Sequence, residues 1–157
     1  MTQPYRIELL GAHDRSAFAS GSEALDRYLQ QQAKQDMRRR VASCFVAVDA
    51  AGAVAGFYTI AASSLVLDLL PAEQAKRLPR YPTVPAVILG RLAVGQAHQG
   101  KRLGGALVAD ALLRATRAEI MAYAMIDDAK DDAAVRFYEH LGFMRLGDDQ
   151  RRLIRAL

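Results

Sequence analysis

A mixed α/β sheet in one domain, residues 1–157, is the fold class this sequence predicts. Three observations lead to it. The chain of 157 residues has no internal repeat and no low-complexity linker, the length and texture of a single core. Short β-branched and aromatic runs alternate with stripes of helical period, in the coarse order β-α-β-β-(α)-β-α-β-α-β-β. Hairpin strands are mixed with helical crossovers, which indicates a mixed sheet rather than a doubly wound parallel one.

Tyr5 to Leu10 alternates weakly and opens the sheet. Past Gly21, with Ser20 or Ser22 as cap, Leu25, Tyr28, Leu29, Ala33 and Met37 recur at spacings of three and four. Asp26, Arg27, Gln30, Gln31 and Lys34 fill the opposite face, so this is an amphipathic helix. Ser43 to Val48 and Val54 to Ile60 flank Asp49-Ala50-Ala51-Gly52 and read as a hairpin. Between Ser63 and Pro85 four prolines loosen the pattern, with a short helix over Ala72 to Leu78. Ala86 to Leu89 and Leu92 to Val94 form a buried strand interrupted by Gly90-Arg91, where a glycine marks a bulge or a close backbone approach. Leu107, Val108, Ala111, Leu112 and Ala115 make the next helical stripe. Met121 to Ile126 follows as a strand, Ala133 to His140 as a helix ended by Gly142, and Phe143 to Leu146 and Leu153 to Leu157 as closing strands.

Composition narrows the function classes. The chain is 52% hydrophobic and 24% charged, which excludes a disordered protein. No run approaches the roughly 20 apolar residues of a membrane span. Met1-Thr2-Gln3-Pro4-Tyr5-Arg6 lacks the basic and apolar regions of a leader. A single cysteine, Cys44, excludes an internal disulfide framework, and three scattered histidines have no metal-ligand spacing. The expectation is a soluble protein of the reducing cytoplasm that uses no metal. Lys+Arg 21 against Asp+Glu 17 gives +4, a faint pointer to an anionic ligand or nucleic acid.

The strand ending in Leu92, Ala93 and Val94 passes through Gln99, Gly100, Lys101, Arg102, Leu103, Gly104 and Gly105 into a helix. The first N–H groups of a helix have no internal acceptor, and the macrodipole adds about half a positive charge there. A pyrophosphate accepts those bonds; the glycines let it approach, and Lys101 and Arg102 add mobile charge. Neither a Walker loop nor Gly-x-Gly-x-x-Gly is present, which counts against ATP and NAD. Glycines also serve tight turns and helix packing, and that reading stands beside the first.

Gln99 to Gly104 resembles the acetyl-CoA motif of the GCN5-related N-acetyltransferases, Gln/Arg-x-x-Gly-x-Gly/Ala. Arg102 stands where the motif has its first glycine, and backbone N–H bonding survives that change if φ there is negative. Asp131 to Phe143, with Ala134, Phe137, Tyr138 and Gly142, resembles the same superfamily's Asn-x-x-Ala-x-x-Phe-Tyr-x-x-x-Gly-Phe, with Asp131 in place of Asn. Phe18 to Leu29, Gln32 to Asp36, Gly56 to Thr59, Gly90 to Val94 and Asp128 to Asp131 resemble the branch of bacterial toxins that acetylate the α-amine of aminoacyl-tRNA. The resemblance covers about Phe18 to Phe143.

The resemblance implies a mostly antiparallel sheet flanked by helices, and acetyl-CoA as cosubstrate bound by Leu92 to Val94, Gln99 to Gly105, Asp131 and Phe137. It further implies a homodimer and a cognate antitoxin, expected to be a ribbon-helix-helix protein. Tyr138 becomes the general acid for the CoA thiolate; a phenol with a reference pKa of about 10 is protonated at neutral pH and suits that role. Packing between helix and sheet is its alternative role.

No paired carboxylates stand out as a base. Asp127, Asp128, Asp131 and Asp132 read as turn and helix N-terminal residues. An α-amine titrating near roughly 7.7 to 8.0 needs less help than a lysine, which favours an aminoacyl ester; a water chain or a carbonyl could equally relay the proton. Arg38, Arg39, Arg40 and Arg91 are the cations for tRNA phosphates, with a solvated helix end as the alternative for the first three. His13, His98 and His140 read as surface or turn residues and Cys44 as core, so acetyl passes directly to the amine. Two other functions remain open: acetylation of a small-molecule or protein amine, and a CoA- or RNA-binding regulator without catalysis.

Overall fold

The first strand, β1 (Arg6–Leu9), pairs antiparallel with β2 (Ser43–Val48), placing Arg6 opposite Val48. This computed structural model describes residues 4–147 and 151–157, so Met1 to Gln3 of the segment read for a leader lie outside it. Five more strands complete one sheet: β3 (Val54–Val66), β4 (Thr83–Val94), β5 (Ala124–Asp128), β6 (Met144–Arg145) and β7 (Arg152–Ala156). Their order is β1-β2-β3-β4-β5-β7-β6, with β4 and β5 parallel and the pairs β1–β2, β2–β3, β5–β7 and β6–β7 antiparallel. The helices are α1 (Glu23–Arg27), α2 (Ala33–Arg38), α3 (Ala72–Ala75), α4 (Leu103–Arg117) and α5 (Asp132–His140). This is the mixed α+β arrangement the element order predicts. The chain divides into two compact units, Met1–Ala61 with Gly90–Ala111, and Ala62–Leu89 with Leu112–Leu157.

In the first unit the hairpin turn is fixed by Asp49, whose Oδ1 accepts from Ala51 N and Ala53 N at 2.9 Å each. Ser22 caps α1, accepting from Leu25 N at 3.4 Å, while Ser20 Oγ donates to Asp26 at 2.6 Å. The predicted stripe is buried as Tyr28, Leu29 and Ala33, yet the helix widens to a π turn over Tyr28–Gln32 before α2 begins. Tyr28 stacks on Phe57 and Phe18 meets Phe57 edge-on, at centroid distances of 6.2 and 5.7 Å. Cys44 lies in the same core.

Two close approaches shape the path of β4. At Gly90 an added Cβ would lie 3.1 Å from Thr59 Oγ1, and that buried hydroxyl accepts from Arg91 N at 3.0 Å. At Gly56 an added Cβ would meet Ala93 O at 3.0 Å, Leu107 Cδ1 at 3.1 Å and Leu103 Cδ2 at 3.3 Å. A hydrogen at Gly56 therefore lets the first turns of α4 lie against the backbone.

In the second unit Leu65, Val84, Ala86, Ala124, Ile126, Leu146 and Ile154 form a core. Asp131 caps α5, its Oδ1 accepting from Ala134 N at 2.8 Å. Gly142 ends it with φ +92°, the left-handed turn that glycine adopts without strain.

Several boundaries differ from expectation. β3 runs on to Val66, beyond the predicted Ile60. β4 begins at Thr83 rather than Ala86: Pro85 has no N–H that needs an acceptor, and its carbonyl accepts from Tyr123 N at 2.8 Å. β5 begins at Ala124 rather than Met121, and Ile120 and Met121 are exposed. α3 stops at Ala75.

Filling the Gly56 crevice is expected to cost about 1–3 kcal/mol, the usual range for overpacking. Gly56→Ala should lower the urea midpoint accordingly, and an unchanged midpoint would show that the crevice is not tight.

Candidate active site

In the first unit Ala93 is buried and Leu92 and Val94 are half-buried at the end of β4. Beyond the strand, Gly95 N donates to Ala55 O at 2.7 Å and Gln96 N to Ala19 O at 2.8 Å. Gln99 ties the loop to the strand end, its Nε2 donating to Ser20 O at 2.9 Å and to Val94 O at 3.1 Å. Gly100, with φ +79°, has nothing within 4 Å of an added Cβ, so the main chain is open there.

Arg102 has φ +63°, not the negative value under which the motif's glycine would be dispensable. The chain keeps the left-handed turn with an arginine, at a steric cost of about 1–2 kcal/mol. The first α4 bond runs from Ala106 N to Arg102 O at 3.2 Å, so the N–H groups of Leu103, Gly104 and Gly105 have no acceptor within the helix. These donors, the open Gly100 backbone and the exposed Lys101 and Arg102 fit a pyrophosphate.

In the second unit Tyr138 is buried on α5 and packs edge-on against Phe137 and Phe143, at centroid distances of 5.0 and 5.3 Å. Its hydroxyl is a neighbour of the buried Asp127 carboxyl. The reading of Asp127 as a turn residue is corrected: it lies within β5, 5% exposed, and its Oδ2 has no hydrogen-bond partner. Burial, reinforced by the neighbouring Asp128 charge and opposed by the Tyr138 hydroxyl, pushes its carboxyl up to about 7. Burial and Asp127 together drive the Tyr138 phenol well above its ordinary range.

The other three carboxylates have separate roles. Asp128 is also a strand residue and holds Arg152 with bonds of 2.8 and 2.9 Å, Asp131 is the α5 cap, and Asp132 lies in its first turn. Two consecutive carboxylates at a strand end must point to opposite faces, the signal by which Asp127 was legible.

Arg38, Arg39 and Arg40 are exposed at the end of α2, and Arg40 occupies the left-handed position usual for glycine, with φ +62°. Arg91 lies over the Tyr28 ring, its guanidinium carbon 3.7 Å from the centroid. The Tyr28 hydroxyl donates to Asp36 at 2.8 Å. Burial pushes the Cys44 thiol up to about 12, unsuited to a nucleophile at neutral pH. Among the described residues no group of three or more His, Cys, Asp or Glu could hold a metal ion.

Asp127 gives a stability prediction. Its carboxyl titrates near about 7 when folded and about 3.9 when unfolded, so the native state holds the proton more tightly and stability falls from about pH 4 to 7. Asp127→Asn removes this dependence. Urea unfolding at pH 5 and 8 should show the variant gaining on the native protein by about 2–3 kcal/mol as pH rises; parallel losses would contradict the raised value.

Comparison with known proteins agrees with this geometry. Residues 40–145 match the family described as Acetyltransferase (GNAT) domain. A tRNA-acetylating toxin of Mycobacterium tuberculosis (strain ATCC 25618 / H37Rv) is 35% identical over 142 residues, 89% of this chain and 82% of that protein. The structure of AtaT complexed with acetyl-methionyl-tRNAfMet matches with a TM-score of 0.88 and 27% identity, covering 97% of this chain and 94% of that one. AtaTR bound with AcCoA matches at 0.81 and 26%, covering 98% and 94%. With two thirds of its length inside the family match and a relative 35% identical over 89% of it, this chain belongs to the GNAT acetyltransferases.

Proposed function

We propose that this chain transfers acetyl from acetyl-CoA to the α-amine of aminoacyl-tRNA and so blocks translation, as the toxin of a toxin–antitoxin pair. The 35% identity to a tRNA-acetylating toxin over 89% of the chain carries this reading. The AtaT complex with acetyl-methionyl-tRNAfMet agrees with it. We further propose that residues 1–157 act as one cytoplasmic catalytic domain, paired as a homodimer and silenced by a ribbon-helix-helix antitoxin. Among the described residues no helix is long and apolar enough to cross a membrane.

The chain's residues divide the work. Leu92 to Val94 and Gly100 to Gly105 seat the cosubstrate, with Gln99 holding the loop in shape; Asp131 and Phe137 are also assigned to cosubstrate binding. Tyr138 supplies a proton to the departing sulfur. Arg38, Arg39, Arg40 and Arg91 meet tRNA phosphates. Both non-glycine residues with positive φ among those described are arginines of these two surfaces, Arg40 and Arg102, and such strain persists where the surroundings hold it, often at binding sites. An α-aminoacyl amine is partly neutral near pH 7 and attacks without a strong base.

Incubation with labelled acetyl-CoA and total charged tRNA should give N-acetyl-aminoacyl-tRNA. Labelling of polyamines or peptides alone would overturn the tRNA assignment, and CoA binding without turnover would leave a regulator. Tyr138→Phe should reduce kcat by roughly 10²- to 10⁴-fold with little change in acetyl-CoA affinity; an unchanged kcat would remove Tyr138 from the acid role.

A further inference from the structure

Arg91, one of the arginines assigned to tRNA phosphates, is held from two sides. Its guanidinium carbon lies 3.7 Å from the centroid of the Tyr28 ring, a stacking distance, with Tyr28 buried and Arg91 itself exposed. Its main chain is fixed as well, since Arg91 N donates to the buried Thr59 hydroxyl at 3.0 Å. Among the described residues no hydrogen bond or ion pair takes up the guanidinium N–H groups. The fork is therefore seated on its face and open at its edge.

A chain of bonds braces the ring beneath it. The Tyr28 hydroxyl donates to Asp36 Oδ2 at 2.8 Å, and Gln32 Nε2 donates to Asp36 Oδ1 at 3.0 Å. Tyr28 and Asp36 are 8 residues apart, which in a regular helix sets them about 80° from each other around the axis. The π turn over Tyr28–Gln32 takes up an extra residue and with it most of that offset, and so lines the phenol up with the carboxylate. Arg15 supports the widened turn, its Nη1 donating to Leu29 O at 2.8 Å. The Gln32 and Tyr28 bonds, with the Arg91 and Arg39 charges, hold the Asp36 carboxyl below its usual range, so it is ionised at neutral pH. A phenol that donates to a carboxylate gains electron density in its ring, which strengthens the pull on a cation above it.

We propose that Tyr28 is a positioning residue, whose braced ring holds the Arg91 fork to grip the phosphate of the aminoacylated 3′-terminal nucleotide of tRNA. The inference rests on the reading of this chain as a tRNA acetyltransferase. Two points select that phosphate. Arg91 directly precedes Leu92, a residue assigned to the cosubstrate, so an anion on its fork lies beside the place of transfer. In an aminoacyl-tRNA the phosphate nearest the α-amine belongs to the terminal nucleotide. Two N–H bonds from one rigid fork fix the direction of the strand end as well as its place, which a lysine point charge cannot do.

The test is kcat/KM for charged tRNA and its salt dependence, with acetyl-CoA affinity measured alongside, in Arg91→Ala, Arg91→Lys, Tyr28→Leu, Tyr28→Phe and the double variant Tyr28→Leu/Arg91→Ala. Arg91→Ala should lower kcat/KM about tenfold and flatten its log–log salt slope by about 0.7, the share of one phosphate on a single strand. Arg91→Lys should restore the slope without restoring the rate. Tyr28→Leu should lose about as much as Arg91→Ala, and the double variant no more than either, because Tyr28 acts through Arg91. Tyr28→Phe keeps the ring without the brace and should fall between. Should Tyr28→Leu fail to bind acetyl-CoA, the same cycle is run with Tyr28→Phe, whose loss should vanish once Arg91 is alanine. Losses that add in the double variant, Arg91→Lys with native kcat/KM, or an Arg91→Ala loss confined to acetyl-CoA affinity would overturn the positioning role while the native protein still acetylates charged tRNA. No N-acetyl-aminoacyl-tRNA from the native protein would overturn the reading beneath it.

Discussion

The first turns of α4 lie so close to β3 and the end of β4 that one hydrogen atom, on Gly56, separates a fit from a clash with Ala93 O, Leu103 and Leu107. That approach fixes where the helix begins, and where it begins is where its unpaired N–H groups point. The loop before it is held by main-chain bonds from Gly95 and Gln96 and by the Gln99 amide. In the proposed reading, backbone groups shape the anion seat and Lys101 and Arg102 add charge beside it. This explains why an arginine serves at position 102 despite its strained φ: what the ligand needs is the turn, and Arg102 adopts the turn that glycine would.

The second unit meets a different demand. Burial against Phe137 and Phe143 raises the Tyr138 phenol, so it holds its proton at neutral pH, as the proposed acid role requires. The same burial places Asp127 in a setting that opposes its ionisation. A buried carboxyl titrating near neutrality weakens the fold at high pH.

Local chemistry was legible in the sequence, and long-range packing was not. Asp49 and Gly52 define the hairpin turn within a few residues, and Asp131 and Gly142 bound α5, so these elements were readable directly. The π turn at Tyr28–Gln32 leaves no local signature, because the stripe of Tyr28, Leu29 and Ala33 is the same for a regular helix. Ile120 and Met121 look like strand residues by hydropathy yet lie exposed, since the partner of β5 sets its start through Ala86 and Ala124. Asp127 beside Asp128 resembles a polar turn until alternation along β5 is applied. The turn and the tyrosine were readable as motifs; the buried carboxylate of Asp127 could be found only by placing it on a strand and applying the alternation.

In the proposed reaction the backbone of the α4 turn seats acetyl-CoA, and catalysis would depend on it. Amide ¹H–¹⁵N shifts recorded as acetyl-CoA is added test this most directly. The largest changes are predicted at Gly100 through Gly105, with downfield movement at Leu103, Gly104 and Gly105 as their free N–H groups acquire phosphate acceptors. Saturable binding that leaves those six amides unmoved would contradict it.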